Sequence, residues 1–188
     1  MRKFLLSTIV AGIVSGAGAA NADNAFISIM GGPTFAPALS LNGGHAGTDT
    51  GFNGGLRLGY GLDDWNLSGF TVDADTFFDQ SHFTGTFARL RSASFMGDLM
   101  YHLNTGSPFG IYGGAGLGAV NTNYESPTVG GSSTVFGWQA IGGVDYKFSP
   151  QTSLFTEYRY QNAHDANAGL PGIGNTSNNV SVGFKFNL

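Results

Sequence analysis

In this 188-residue chain only 11% of residues are charged, 31 are glycine and none is cysteine. Soluble domains usually carry roughly 25% charged residues and about 7% glycine, so an ordinary soluble surface is hard to build from this composition. Acidic residues outnumber basic ones twelve to eight, which excludes the basic face that nucleic-acid binding needs, and disulfide and thiol chemistry are excluded with cysteine.

At the start, Arg2 and Lys3 precede an apolar run from Phe4 to about Val14, followed by small residues to Ala20-Asn21-Ala22. This is the pattern of a secretory signal with an A-x-A cleavage site, expected over residues 1–22 with cutting before Asp23. The run is shorter than the ~20 residues a spanning helix needs. Losing the leader removes Arg2 and Lys3 and leaves six basic residues against twelve acidic ones. No other stretch has the length and apolarity of a transmembrane helix, so any membrane span must be β.

From Ala25 onward the hydrophobic pattern alternates with period two, the mark of strands with unlike faces. Strand one is expected over Ala25–Phe35, with Ile27, Ile29 and Phe35 on one register and Gly31-Gly32-Pro33 leaving its facing open. After a Gly-rich loop through Asp49, strand two (Thr50–Gly61) sets Phe52, Gly54, Leu56, Leu58 and Tyr60 against Asn53, Arg57 and Gly59. Gly61–Asp64 is a turn. Strand three (Asn66–Phe78) sets Phe70, Val72, Ala74 and Phe78 against Thr71, Asp73 and Asp75. Beyond a loop at Asp79–Gly85, strand four (Thr86–Leu103) opposes Ala93, Phe95, Gly97, Leu99 and Tyr101 to Ser92, Ser94, Met96, Asp98 and Met100.

A turn at Asn104–Pro108 leads to strand five (Phe109–Asn121), with Ile111, Gly113, Ala115, Leu117 and Ala119 opposite Gly114, Gly116 and Gly118. Those glycines follow no strand-to-helix junction, so they read as barrel wall that makes room for larger inward side chains, not as a nucleotide loop. A loop at Thr122–Ser133 precedes the clearest hairpin. Its first strand carries Phe136, Trp138, Ala140, Gly142, Val144, Tyr146 and Phe148 on one face, with Gln139, Ile141, Asp145 and Lys147 on the other. Ser149–Thr152 turns the chain, and Leu154, Thr156, Tyr158 and Tyr160 then oppose Phe155, Glu157, Arg159 and Gln161. The longest loop is expected at Asn162–Asn179. Val180–Leu188 closes the barrel, with Val180, Val182, Phe184, Phe186 and Leu188 on one face.

An apolar face with aromatics at both ends, backed by a charged face, suits a strand covered by lipid with aromatic girdles at the interfaces. The expected connections run roughly 7 to 18 residues after the odd strands and about 4 to 6 after the even ones, as in transmembrane barrels with long extracellular loops. The expected fold is thus all-β: an eight-stranded antiparallel up-and-down transmembrane β-barrel over residues 23–188, with both termini on the periplasmic side. With Leu188 last, no further domain is expected. A secreted lipocalin-like barrel would turn its apolar face inward and expose the face of Gly59, Gly114, Gly116 and Gly118, too bland for a soluble surface.

The runs Trp138-Gln139-Ala140-Ile141-Gly142-Gly143-Val144-Asp145-Tyr146 and Glu157-Tyr158-Arg159-Tyr160 resemble the small Gram-negative outer-membrane β-barrel proteins, the OmpA-like and opacity-type porin superfamily. The likeness covers most of the mature chain and rests on order and spacing. It implies a place in the outer membrane, with its lipid and lipopolysaccharide as surroundings, and insertion machinery that reads the last strand. That family usually ends in Phe, where this chain has Leu188. A structural or surface-interaction role follows, with an extracellular ligand met through the long loops and no nucleic acid, cofactor or metal; a small-solute channel is the alternative.

The inward register collects one constellation: Arg57, Asp73, Asp75, Asp98, Asp145, Lys147, Glu157, Arg159 and Lys185. Eight strands leave a bore that side chains can fill, so a salt-bridged plug is expected, in which Glu157 and Arg159 pair with groups on neighbouring strands. His45 and His82, placed in loops, and His102, placed in a turn, are too scattered for a metal site. The segment Tyr158–Gly169 is similar to the end of the outer-membrane lipid A deacylases: His164 and Asn167-Ala168 match, but Ala166 stands where their nucleophilic serine belongs. Without a hydroxyl there is no acyl transfer, so the chain is expected not to be an enzyme and at most an inactive relative.

Overall fold

The computed structural model describes residues 24–35, 39–41, 44–46, 48–83, 89–125, 130–166 and 173–188. Eight long strands run β1 (Ala25–Phe35), β2 (Thr48–Gly61), β3 (Phe70–Phe83), β4 (Arg89–Asn104), β5 (Phe109–Glu125), β6 (Gly130–Lys147), β7 (Thr152–Ala166) and β8 (Ile173–Asn187). Each pairs antiparallel with its sequence neighbours, and β1 pairs with both β2 and β8, so the sheet closes without an edge. The Leu188 amide completes the seam by donating to the Ala25 carbonyl at 2.9 Å. Closure satisfies every ladder internally, which hydrocarbon surroundings demand. This is the eight-stranded up-and-down barrel expected from the alternation.

The outside is apolar. Ile29, Val72, Leu99, Leu117, Val144 and Val182 are each roughly half exposed, an apolar band of a kind that monomeric soluble domains rarely carry. Aromatic rings border it at both ends. Near the chain termini Phe70 packs on Tyr101 with centroids 4.8 Å apart, Phe109 on Tyr146 at 4.9 Å and Tyr146 on Phe148 at 5.0 Å. At the distal end Trp138 meets Tyr160 at 5.4 Å and Phe52 meets Phe78 at 6.1 Å. Two girdles around an apolar waist are the outer form of a membrane barrel.

The strand ends depart from expectation. Thr122–Ser133, read as a loop, is mostly ladder: Thr122 pairs with Ser133, Asn123 with Ser132 and Glu125 with Gly130. Most of Asn162–Asn179 is also strand, with Asn162 paired to Thr176 and Gln161 to Ser177. These stretches are rich in Thr, Ser, Asn and Gly, so the period-two contrast that marks a strand is weak, although backbone pairing continues past the apolar band. The expected contrast of long and short connections therefore does not hold: β3 ends at Phe83 with β4 starting at Arg89, and β5 ends at Glu125 with β6 starting at Gly130. His82 and His102 consequently lie in β3 and β4, not in a loop and a turn. Within the expected loop before β2, Leu39–Leu41 pairs with Gly44–Ala46 as a short ribbon that includes His45.

At the terminal end the connection after β2 is longer than the expected turn. Asp63–Trp65 forms a single 3₁₀ turn, Asn66 is left-handed at φ 60° and Gly69 has φ 82°, so β3 starts at Phe70 instead of Asn66. Near the distal end the β2–β3 register shifts between Asp49 and Phe52. A side chain on Gly51 there would run into the Gln80 backbone, so only glycine fits that bulge. The leader residues 1–22 lie outside the described residues.

Candidate interior ion cluster and terminal vestibule

The pleat of β2, β3 and β7 sends Arg57, Asp75, Glu157 and Arg159 into the middle of the bore. Arg57 and Asp75 are direct cross-strand partners, whereas Glu157 arrives from across the barrel. Arg57 Nη1 donates to Glu157 Oε2 at 3.0 Å and Nη2 to Oε1 at 3.1 Å, a fork-on-fork pair. The same guanidinium donates from Nε and Nη2 to Asp75 Oδ2 at 3.2 and 3.1 Å. Arg159 Nη2 donates to Asp75 Oδ2 at 2.6 Å and to Glu157 Oε1 at 3.0 Å. Two guanidinium groups and two carboxylates thus form a ring that is neutral as a set. All four are at most 4% exposed; such burial is tolerable only because each charge is matched and hydrogen-bonded.

Neutral groups hold the ring in place. Tyr112 Oη donates to Glu157 Oε2 at 3.2 Å, and Arg159 Nη1 donates to Gln139 Oε1 at 3.3 Å. Gln139 Nε2 in turn donates to Asp98 Oδ1 at 2.6 Å. The Arg159 guanidinium lies 4.0 Å over the Phe77 ring, a desolvated cation–π contact. Apolar packing seals the rest: Met30, Phe77, Met100, Tyr112, Ile141 and Phe155 form one cluster, Met96, Val120 and Ala163 another.

The inward glycines make this filling possible. A side chain on Gly116 would collide with the Asp98 carboxylate, one on Gly118 with Met96 and one on Gly143 with Tyr112. Each large side chain lies over a glycine of the adjacent strand, so the bore is packed across neighbouring strands. Toward the distal end the lining becomes hydroxyl and amide. There Thr34 donates to Asn179 at 2.6 Å and Ser181 to Asn53 at 2.8 Å.

The nine inward charges do not form one group. Arg57, Asp75, Glu157 and Arg159 make the ring. Asp73 lies beside it, 3.8 Å from Arg57 Nε, and Asp98 is held through Gln139. Asp145, Lys147 and Lys185 lie nearer the chain termini, where they line a vestibule of about 310 Å³ together with Phe26, Thr71 and His102. Between vestibule and ring the space narrows to a recess of about 10 Å³, room for about one water. Tyr112, Gln139 and Phe77 were not singled out in the sequence. Their inward register could have found Gln139 and Tyr112; nothing local marks Phe77 as the platform under Arg159. In the deacylase-like segment, the side chains of His164, Asp165 and Ala166 and all of Asn167 and Ala168 lie outside the described ones.

A family model described as "Outer membrane protein beta-barrel domain" matches residues 6–186. Among solved structures, neisserial surface protein A (NspA) superposes with a TM-score of 0.67 at 19% identity, covering 87% of this chain and 97% of that one. OprG, an outer membrane protein of Pseudomonas aeruginosa, gives 0.53 at 19% identity over 88% and 97%. Ail, the attachment invasion locus protein of Yersinia pestis, in its complex with the heparin analogue sucrose octasulfate, gives 0.50 at 14% identity over 87% and 98%. At these identities the likeness is one of fold. No curated protein matches in sequence.

Proposed function

Since the chain belongs to the outer-membrane protein β-barrel domain family and so resides in the Gram-negative outer membrane, we propose that it is an integral surface protein with a plugged interior and no catalytic activity. The observation that carries this reading is the Arg57–Asp75–Glu157–Arg159 ring, buried beside the Phe77 and Met100 cluster, with a recess of about 10 Å³ beneath it. Eight strands enclose a bore that side chains of this size fill. A solute route would require both guanidinium groups to leave paired carboxylates at once.

In this reading residues 1–22 direct export, β8 is the segment the insertion machinery engages, and the termini face the periplasm. Lipid and lipopolysaccharide surround the band. The distal hairpins, which extend polar ladders past the girdle, then form a stiff platform for an extracellular ligand, since recognition concentrates on segments held by a rigid scaffold.

The test is conductance in a planar bilayer, using protein whose heat-dependent gel shift shows it folded. Absence of unitary currents is expected. Steady unitary currents would overturn the plug and favour a small-solute channel.

A further inference from the structure

The ring leaves the vestibule unexplained. Lys147 and Lys185 flank Ser153 in one row across β6, β7 and β8: Lys147 pairs with Ser153, and Ser153 with Lys185. Among the described residues neither lysine makes an ion pair, and the Lys185 ammonium rests 4.3 Å from the centroid of Phe26. Across the bore, β3 and β4 present Asp73 and His102. Asp73 is 2% exposed, yet its Oδ1 meets no hydrogen-bond donor, and His102 Nε2 likewise has no partner. Asp73 and His102 both line the recess; Asp145, which lies over Gly110 of β5, lines recess and vestibule alike.

Buried polar atoms are almost always satisfied, and here the unmet Asp73 acceptor lines the recess together with Lys185, while Lys185 and Lys147 line the vestibule that opens from it. We propose that the vestibule is a binding site for a small zwitterion, an ammonium and a carboxylate on one molecule. The ammonium is water-sized and enters the recess, donating to Asp73 Oδ1 and toward Asp145. The carboxylate lies against Lys185 and Lys147, with His102 Nε2 completing its shell. A simple anion would meet Asp73 and Asp145, and a simple cation the two lysines, so only a molecule carrying both charges matches both sets of groups. A free amino acid and the end of a short peptide share this chemistry. The site opens at the terminal end and does not require the bore to conduct.

The experiment is ¹H–¹⁵N NMR titration of the refolded full barrel in micelles with L-alanine, L-alanyl-L-alanine, acetate and methylammonium. Saturable shifts at His102 and Lys185 are expected with at least one of the first two, and which one responds distinguishes a free amino acid from a peptide end. Acetate and methylammonium should each bind at least tenfold more weakly. Lys185→Met and Asp73→Asn should each weaken zwitterion binding at least tenfold; if Asp73→Asn does not fold, Lys185→Met decides alone. Absence of saturable shifts with both zwitterions, acetate binding as tightly as L-alanine, or unchanged affinity in Lys185→Met would each overturn the site. None of these outcomes bears on conductance, so failure here and failure of the plug are separable.

Discussion

Arg159→Met tests the plug at its centre. The substitution keeps the unbranched stem and approximate volume but removes the donors to Asp75, Glu157 and Gln139, whose distances run from 2.6 to 3.3 Å. Two carboxylates then share one guanidinium in a site without water access. Breaking a buried ion pair by removing one partner costs about 3–5 kcal/mol, because the remaining charge stays buried. Losing the contact with Phe77 adds up to about 2 kcal/mol. Adding Asp75→Asn restores neutrality and leaves the Arg57–Glu157 fork intact, so the double variant should be more stable than the single one despite carrying two changes. The assay is urea unfolding in lipid vesicles, followed by fluorescence of Trp65 and Trp138 and by the heat-dependent gel shift. A single variant within about 0.5 kcal/mol of the parent, or a double variant whose cost is the simple sum of both changes, would refute the coupled ring.

Leu56→Arg, on the lipid face midway along β2, should cost roughly 2–4 kcal/mol, and Val144→Arg, next to the Tyr146 girdle, distinctly less, because the penalty falls with distance from the midplane; equal unfolding free energies for both in vesicles would contradict the assigned depth. Gly116→Val should destabilise by about 1–3 kcal/mol by driving a methyl-bearing carbon into the Asp98 carboxylate. Gly97→Ala, whose new methyl meets nothing within 4 Å on the lipid face, should stay within about 0.5 kcal/mol of the parent in the same assay.

Facing was legible in the sequence wherever the two sides of a strand differ chemically. Phe155, Glu157, Arg159 and Gln161 alternate with Leu154, Thr156, Tyr158 and Tyr160, and all four inward residues are buried. The Arg57–Asp75 pair was within reach too, since both sit on adjacent strands joined by a short connection. The Arg57–Glu157 fork was not. It joins residues 100 positions apart, and which levels meet across the bore depends on the shear of the closed sheet. Strand ends were illegible for a different reason: at Thr122, Asn123, Ser132 and Ser133 both faces are polar, and pairing past the girdle leaves no amphipathic trace.

Depth explains why nine inward charges divide as they do. At the level of the ring, Arg57 and Arg159 are matched by Asp75 and Glu157, with Asp73 beside Arg57 and Asp98 held by Gln139. Toward the distal end the lining turns to Thr34, Asn53, Ser177, Asn179 and Ser181, which hydrogen-bond one another, with buried Asp79 opposite Asn53 on the neighbouring strand. Toward the terminal end the vestibule widens; Lys147 is exposed there and the Lys185 ammonium lies over the Phe26 ring. The same inward register therefore carries a stabilising ring where the bore is sealed and available charges where it opens. Transplanting a charge into the sealed bore tests that division: Val120→Lys would bury an ammonium among Met96 and Ala163, and its cost in unfolding free energy should exceed that of Val120→Met, because an unmatched cation adds to the overpacking. Equal costs would mean that water reaches this level of the bore.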